Sequence, residues 1–179
     1  MIQEIDQDIF LADVHAIIHQ ANCMCNMGSG IAKEIAGRFP EMVIADKKTG
    51  KGDSKKLGTF SVAQIVSPHS NPRLLLGYNM YSQLEYGLST RHTSYDAMID
   101  ALAAIKKHIG QWNASAARNG RHRIESIGVP YRIGCNRAGG DWKVVRLLLE
   151  SAFGDDSLNL IICKNPTLAG EQMINPISR

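Results

Sequence analysis

The sequence lacks the long apolar segments of a membrane protein and the cysteine density of a secreted one. None of its apolar runs approaches the roughly 18 residues that span a bilayer. Its acidic start, MIQEIDQDIF, has neither the basic region nor the apolar stretch of a secretion signal. Its four cysteines are too sparse for a disulfide framework, so we expect them to stay reduced. These absences predict a soluble, cytoplasmic protein with no membrane partner.

A strong charge bias and low-complexity tracts are also absent. A net charge of +3 is too mild to indicate nucleic acid by itself. The basic cluster ARNGRHR at residues 117–123 could bind phosphate, but we predict a solvated loop there. With 44% hydrophobic residues and no repeat, the chain fits one globular domain. We predict that residues 1–164 form this domain and that residues 165–179 form an irregular extension.

Apolar runs alternate with helix-period segments, which predicts an α/β protein. The contiguous apolar runs AIIHQA and RLLLGY are typical of central strands covered on both faces. The arrangement predicted is a three-layer α/β/α sandwich around a mixed sheet of about six strands. The predicted strands cover residues 2–5, 14–20, 59–66, 74–80, 124–130 and 158–163, and the predicted helices cover residues 30–39, 40–49, 94–112 and 142–153.

Two glycine-bearing segments each lie between a strand-like run and a helix-like run. Residues 22–32 read NCMCNMGSGIA, and residues 133–142 read IGCNRAGGDW. Glycine permits positive φ values and close backbone approach, so successive N–H groups can line a concavity, and the following helix adds its positive dipole end. Because two such loops could close on one anion from both sides, the sequence predicts a diphosphate ligand.

Other nucleotide-binding motifs match less well. GSGIAK begins like the Rossmann pattern GxGxxG, but Lys33 replaces the third glycine and a long polar excursion separates Gly28 from the strand. The segment GKGD lacks the GK[ST] ending of a Walker loop. An NAD(H)-dependent oxidoreductase is kept as a weaker alternative.

The cysteines suggest two further sites that we do not favour. Cys23, Cys25 and Cys135 could gather with His19 around zinc, but the CxC spacing is unlike that of common structural zinc sites, so we predict no metal and no other cofactor. Cys135 precedes a helix N-terminus, which would favour a thiolate, but its strand-to-loop position also suits a small buried residue. We therefore assign it no nucleophilic role.

The second glycine segment carries polar and aromatic candidates. Asp141 could be only the N-cap of the helix that follows, or it could be a carboxylate that orients a water or accepts a ribose hydroxyl. Arg137 could pair with a phosphate or face solvent. Tyr131 and Tyr81 could flank an adenine or a ribose, and packing under the helices is the alternative for each.

Together the two loops resemble the macro domain family. The shared pattern is Asn22, then GSGIA, the pair Phe39-Pro40, and IGC…AGGDW after a strand ending in VP. It spans residues 2–163 and is most similar to the ADP-ribose-1''-phosphate phosphatases and the hydrolases of ADP-ribosylated glutamate and DNA. The resemblance implies binding of ADP-ribose and hydrolysis of its distal-ribose C1'' linkage to phosphate or to an ADP-ribosylated protein or nucleic acid. A non-catalytic ADP-ribose reader is the alternative.

The resemblance also implies the roles of individual residues. Asp8 would accept a hydrogen bond from the adenine amino group, and the backbone amide of Ile9 would contact the base. Asn22 would reach the distal ribose, with Gln83 beside the same pocket. The loops that would embrace the diphosphate and distal ribose comprise Gly28, Ser29, Gly30, Ile31 and Ala32 together with Gly134, Cys135, Asn136, Arg137, Ala138, Gly139 and Gly140.

Two departures from the family bear on catalysis. The hydrolases that act on ADP-ribosylated glutamate or DNA use a lysine soon after the strand that corresponds to the fourth predicted strand. This chain reads YSQLEYG there and has no lysine. Asp141 with a water therefore becomes the candidate for attack or proton transfer at C1'', and Asn22 would position the reacting groups. Asn136 and Arg137 replace a common glycine-leucine pair, so Arg137 could narrow the distal pocket or contact a terminal phosphate.

Overall fold

The computed structural model describes residues 1–67, 73–155 and 157–165. Apart from Asn165, the predicted extension lies outside the described residues. The strands are β1 (Ile2–Ile5), β2 (Ala16–Asn22), β3 (Phe60–Val66), β4 (Leu74–Gln83), β5 (Ser126–Pro130) and β6 (Asn159–Cys163). The helices are α1 (Gly30–Arg38), α2 (Pro40–Lys47), α3 (Tyr95–Asn119) and α4 (Trp142–Phe153), and a short 3-10 helix covers Ser54–Lys56.

The strands form one mixed sheet in the order β1-β6-β5-β2-β4-β3. Neighbouring strands are parallel except for β3, which runs antiparallel to β4 at one edge. The two runs predicted as central strands form most of β2 and the first half of β4, which lie inside the sheet, so both predictions are confirmed. Because five strands run the same way, the carboxyl ends of β6, β5, β2 and β4 meet at one edge, where open α/β sheets bind ligands.

Helices cover both faces of the sheet, as predicted. Ile17 and Ile18 are adjacent in β2, point to opposite faces and are both almost fully buried. Ile17 belongs to a cluster that includes Ile35 of α1 and Met42 of α2. Ile18 belongs to a larger cluster that contains buried residues of α3 and α4. The protein is therefore a three-layer α/β/α sandwich.

Several element ends differ from the predictions. Helix α3 continues to Asn119, well past the predicted end at residue 112, and stops at Gly120, whose φ of 61° closes it in the left-handed region. The added turns, NASAARN, contain three alanines and an arginine, which favour helix without giving an apolar period. The prediction of a loop at residues 117–123 is therefore wrong for its first three residues. Strand β2 begins and ends later than predicted, so Asn22 is its last residue.

His19 of β2 is fully buried and held in its neutral form. Its Nε2 lies 2.6 Å from Asn79 Oδ1. Asn79 Nδ2 donates to the carbonyl of Met42, so Asn79 Oδ1 is an acceptor and His19 Nε2 carries the proton. No described residue accepts a hydrogen bond from His19 Nδ1. Burial therefore lowers the pKa of His19, because a second proton would stay unpaired inside the sheet.

We expect the protein to lose stability as the pH falls below about 6.5, the ordinary histidine pKa. The unfolded chain then binds a proton that His19 does not bind in the folded state. Each such histidine therefore lowers the free energy of unfolding by at most about 1.4 kcal/mol for each unit by which the pH falls. Urea unfolding at about pH 7.5 and about pH 5.5 measures the difference. His19→Gln should flatten the profile and the exposed His122→Gln should not; equal profiles for the two variants would contradict the assignment.

Candidate functional site

Two glycine loops lie side by side at the carboxyl edge of the sheet. The first glycine loop, residues 23–29, joins β2 to α1, and the second glycine loop, residues 131–141, joins β5 to α4. Strands β2 and β5 are neighbours. A Cβ atom built on Gly30 would lie 3.9 Å from Cδ of Arg137, which places the start of α1 against the second loop. Segments more than a hundred positions apart in sequence thus lie next to each other.

Both loops offer backbone N–H groups that donate to no described residue. On one side these are the amides of Gly30, Ile31 and Ala32 in the first turn of α1, where the N-cap Ser29 makes no side-chain capping bond. On the other side the amides of Asn136, Arg137 and Ala138 are unpaired within the described chain. The first turn of α1 also contains no acidic residue. The two segments therefore bring free donors and a positive helix end close together, which suits an anion.

Asn22 shapes the first glycine loop with both ends of its amide. Its Oδ1 accepts from the backbone amides of Met24 and Asn26, each at 3.1 Å. Its Nδ2 donates to the carbonyl of Asn26 at 2.7 Å. Asn22 also lies opposite Gln83, because these two residues are register partners at the ends of β2 and β4. The structure thus brings the two predicted distal-pocket residues together and makes Asn22 an organiser of its loop.

Asp141 ends the second glycine loop as the N-cap of α4. Its Oδ1 accepts from the amide of Lys143 at 2.8 Å, and its own amide donates to Tyr95 Oη at 2.8 Å. The capping interpretation is therefore correct, and one carboxylate oxygen serves it. Oδ2 accepts no hydrogen bond from a described residue, and the side chain is exposed. Asp141 can hold the helix and still present an acceptor to a ligand or a water.

Asp8 lies near the carboxyl end of β6. Its Oδ1 accepts from the amide of Phe10 at 3.0 Å, which forms a tight turn after β1. Burial first, and the nearby Asp8 charge second, raise the pKa of Cys163 at the end of β6 to about 12. The side chain of Ile9 is buried and reaches β5, where a Cβ on Gly128 would come within 3.4 Å of it. Asp8, the second loop, the first loop and Gln83 therefore follow the strand order β6, β5, β2, β4.

Comparisons with known proteins give similar sequences and similar folds. No protein-family model matches the chain. An uncharacterised 17.5 kDa protein of Enterobacteria phage T4 is 27% identical over 138 residues, which cover 75% of this chain and 77% of that protein. A DNA ADP-ribosyl glycohydrolase of Mycobacterium tuberculosis is 27% identical over 147 residues, which cover 82% of this chain and 37% of that protein. The chain thus spans little more than a third of the glycohydrolase.

Solved structures decide the fold. The macrodomain of Mycobacterium tuberculosis DarG superposes with a TM-score of 0.68 at 22% identity, covering 93% of this chain and 98% of that chain. This chain has the macro domain fold. Thermosipho africanus DarTG in complex with ADP-ribose is also similar, with a TM-score of 0.67 at 16% identity over 93% of this macro domain and 42% of that chain. The fold that the resemblance implied is confirmed.

The structure shows the surroundings of three other residues that the sequence suggested as site candidates. Cys135 is buried, its Sγ lies 3.4 Å from the carbonyl of Ile133, and burial raises its pKa to about 12, so it is a protonated thiol and not a nucleophile. Tyr131 packs edge-on against Trp142, with ring centroids 5.0 Å apart, which favours its packing role. Arg137 is exposed and lies beside the start of α1, where it can reach an anion held between the two glycine loops.

A buried lysine donates hydrogen bonds to the first glycine loop of the macro domain. Lys56 is 6% exposed, and its Nζ donates to the carbonyl of Cys23 and to Cys25 Sγ, both at 3.2 Å. Asp46 balances its charge at 3.6 Å and accepts from Tyr81 Oη at 2.7 Å. The run KTGKGDSKK reads as a polar loop, but its last residue, Lys56, is buried. Tyr81, a candidate to flank an adenine or a ribose, is also buried and donates to Asp46 instead. A lysine in a run of polar residues carries no sign that it will be buried.

A chain of polar side chains supports the second glycine loop. Thr93 Oγ1 donates to the carbonyl of Gly134 at 2.7 Å. Gln20 Nε2 donates to Thr93 Oγ1 at 3.0 Å and also to Gln83 Oε1. The amide of Thr93 donates to the carbonyl of Ala138 at 3.1 Å. The ends of β2 and β4 thereby hold the second loop, and the sequence did not reveal Thr93 or Gln20 as part of the site.

We expect Thr93→Val to destabilise the macro domain by about 1–3 kcal/mol, because the buried carbonyl of Gly134 and the amide of Gln20 lose their shared partner. Thr93→Ser keeps the hydroxyl and is the matched control, with a smaller loss from the missing methyl group. Free energies of unfolding from urea titrations compare the two variants. A valine variant at least as stable as the serine variant would show that the hydroxyl does not support the loop.

Neither a metal cluster nor a membrane span is found in the part of the chain that the structure describes. Within residues 1–67, 73–155 and 157–165, no three side chains of histidine, cysteine, aspartate or glutamate gather as metal ligands. None of the described helices combines the length and the apolar character needed to cross a bilayer.

Proposed function

We propose that this macro domain binds ADP-ribose along the carboxyl edge of its sheet, with the diphosphate between the two glycine loops. The observation that carries the proposal is the pair of unpaired amide sets, at Gly30–Ala32 and Asn136–Ala138, in two segments that lie next to each other. A diphosphate has acceptor oxygens on both sides, and the positive end of α1 favours its charge. The likeness to a protein solved in complex with ADP-ribose supports this ligand.

The order of the subsites follows the order of the strands. Asp8 and the amide of Ile9, near β6, would take the adenine, because a carboxylate acceptor at that position distinguishes an adenine amino group from a guanine carbonyl. Asn22 and Gln83, at the ends of β2 and β4, would lie beside the distal ribose. In this arrangement the ligand extends from β6 towards β4.

We further propose that the site hydrolyses the C1'' linkage of the distal ribose. Water would attack C1'', the bond to the phosphate or macromolecule would break with its electrons leaving on that group, and Asp141 would orient the water and take its proton. Asn22 would hold the first loop against the ribose so that the reacting atoms stay aligned. The likeness to a DNA ADP-ribosyl glycohydrolase supports a hydrolase that acts on ADP-ribosylated nucleic acid; ADP-ribosylated protein and ADP-ribose-1''-phosphate are the other substrates to test.

A non-catalytic ADP-ribose reader is the second candidate, and one observation favours it. No lysine occurs in YSQLEYG, the segment at the end of β4, and the side chain of Lys56 is buried and donates to the carbonyl of Cys23 in the first glycine loop. Calorimetry with ADP-ribose and with NAD tests binding, and incubation with the three proposed substrates tests turnover. We expect ADP-ribose to bind more tightly than NAD and at least one substrate to release ADP-ribose. Tight binding with every substrate unchanged would establish the reader, and stronger NAD binding would overturn the proposal.

A further inference from the structure

A lysine amine and a cysteine thiol are in direct contact at the first glycine loop. Lys56 Nζ lies 3.2 Å from Cys25 Sγ, and the side chain of Lys56 is almost fully buried. The thiol is also held from another direction, because Cys25 Sγ donates to the carbonyl of Asp46 at 3.4 Å. Two nucleophilic side chains from different segments are therefore kept side by side, and neither belongs to the contacts proposed for ADP-ribose.

Cys25 is the most accessible of the four cysteines. Its side chain is half-buried and lines a cleft of about 400 Å³. Cys23, Cys135 and Cys163 are buried, and burial raises the pKa of each of these thiols, to about 12 for Cys135 and Cys163. Because the thiolate is the nucleophilic form, these three thiols react slowly. A small oxidant that enters the cleft therefore reacts with Cys25 first.

The charges around Cys25 favour its reaction with a peroxide. The ammonium of Lys56 donates to the sulfur, and a neighbouring lysine is typical of reactive thiols. Lys47 and Lys51 belong to the lining of the cleft, and no acidic side chain does. A hydroxide that leaves the peroxide is therefore stabilised by positive charge close to it.

We propose that Cys25 and Lys56 form a covalent sulfur–nitrogen cross-link when the protein reacts with hydrogen peroxide. In the first step Cys25 Sγ attacks one oxygen of the peroxide. The S–O bond forms, the O–O bond breaks, and the departing hydroxide takes the thiol proton and leaves as water. The sulfur has then given two electrons to the peroxide and is a sulfenic acid.

In the second step Lys56 Nζ displaces the oxygen of the sulfenic acid. Nζ releases one proton to solvent, and its lone pair then forms the S–N bond while the S–O bond breaks. The departing hydroxide takes a second proton from Nζ and leaves as water. A sulfenic acid condenses with a backbone nitrogen in the same way. The 3.2 Å contact with Lys56 means that no large movement is needed to bring the two atoms together.

The cross-link would alter the first glycine loop. Lys56 Nζ also donates to the carbonyl of Cys23 at 3.2 Å, and Asp46 balances its charge. A covalent S–N bond is much shorter than the present contact and removes that charge, so the carbonyl loses its charged donor and residue 25 moves towards Lys56. We therefore expect weaker binding of ADP-ribose, a consequence that rests on the proposed function, whereas the cross-link itself does not.

Mass spectrometry of the wild-type protein after treatment with hydrogen peroxide tests the cross-link directly. We expect a loss of about 2 Da, which corresponds to two hydrogens, and a joined pair of protease fragments that contain Cys25 and Lys56. Excess dithiothreitol should restore the original mass, because its thiols reduce the S–N bond. Cys25 that gains oxygen without joining Lys56, or another cysteine that is oxidised first, would overturn the assignment.

Three variants support this measurement. Cys25→Ser should show no loss of mass. Cys163→Ala, which removes a buried thiol, is the matched control and should form the cross-link as the wild-type protein does. Lys56→Arg keeps the positive charge but not the amine, so it should accumulate a sulfenic acid that dimedone labels at Cys25. Fragment mapping of the wild-type protein decides the assignment even if the arginine variant does not fold.

Calorimetry with ADP-ribose before and after the treatment tests the consequence for binding. We expect the affinity of the wild-type protein to fall at least about tenfold and to recover with dithiothreitol, whereas the affinity of Cys25→Ser should not change on treatment. Equal affinities of the reduced and the cross-linked protein would overturn the control of binding. If the reduced wild-type protein does not bind ADP-ribose, the proposed function is overturned, and the mass measurements still decide the cross-link.

Discussion

Replacing Ser29 with aspartate should stabilise the macro domain and weaken its binding of ADP-ribose at least about 100-fold. Ser29 is the N-cap of α1 but makes no capping bond with its side chain. An aspartate there can accept from the amides of Ile31 or Ala32 and offset the helix dipole, adding about 0.5–1 kcal/mol to the free energy of unfolding. The same carboxylate occupies the donors assigned to the diphosphate and repels its charge.

Ser29→Asn is the matched control, because asparagine can cap the helix without adding a charge. Thermal unfolding measures stability, and calorimetry with ADP-ribose measures affinity. We expect the asparagine variant to gain stability while losing much less affinity than the aspartate variant. Opposite changes in stability and affinity distinguish an occupied anion site from a damaged fold. If the aspartate variant binds ADP-ribose as tightly as the wild-type protein, the diphosphate does not lie at the start of α1.

Replacing Asp141 with asparagine should lower the turnover of the best substrate at least about 100-fold, the smallest usual contribution of a general acid or base. Asparagine caps a helix as well as aspartate does, so the bond to the amide of Lys143 survives and stability should stay within about 0.5 kcal/mol. The loss should therefore appear in kcat, with ADP-ribose affinity nearly unchanged. Initial rates and calorimetry measure the two quantities.

Two further variants separate the roles of Asp141. Asp141→Ala removes both the carboxylate and the cap, so it should lose activity and also about 1 kcal/mol of stability. Asp155→Asn removes an exposed carboxylate that pairs with Lys106 and should leave turnover unchanged. Wild-type turnover in the asparagine variant would show that Asp141 only caps α4, and another group would then have to activate the water.

The glycine loops were predictable because their signals are local. Glycine at fixed positions between a strand-like and a helix-like run needs only neighbouring residues to be recognised, as in GSGIA before α1. The apolar alternation of helices and strands similarly predicted six strands and four helices in the right order. Element ends were less predictable, since the last turns of α3 have no apolar period and Asn22 belongs to β2 because β4 pairs with it.

The side chains that hold the two loops by hydrogen bonds could not be predicted from sequence patterns. Lys56 looks like any solvated lysine until α2 and β4 bring Asp46 and Tyr81 to it. Thr93 and Gln20 become a chain of donors only because β2, β4 and the second glycine loop meet. Asp141 shows the intermediate case, where the sequence offered a cap or a site residue and the hydrogen bond to Lys143 established the cap.

Composition, periodicity and glycine spacing were sufficient to establish the α/β/α architecture and the two loops that could receive an anion, because each depends on residues close together in the chain. The meeting of those loops and the burial of Lys56 depended on folding. Their contacts join residues far apart in sequence, such as Gly30 with Arg137, and only strand pairing and close packing select which distant groups become neighbours.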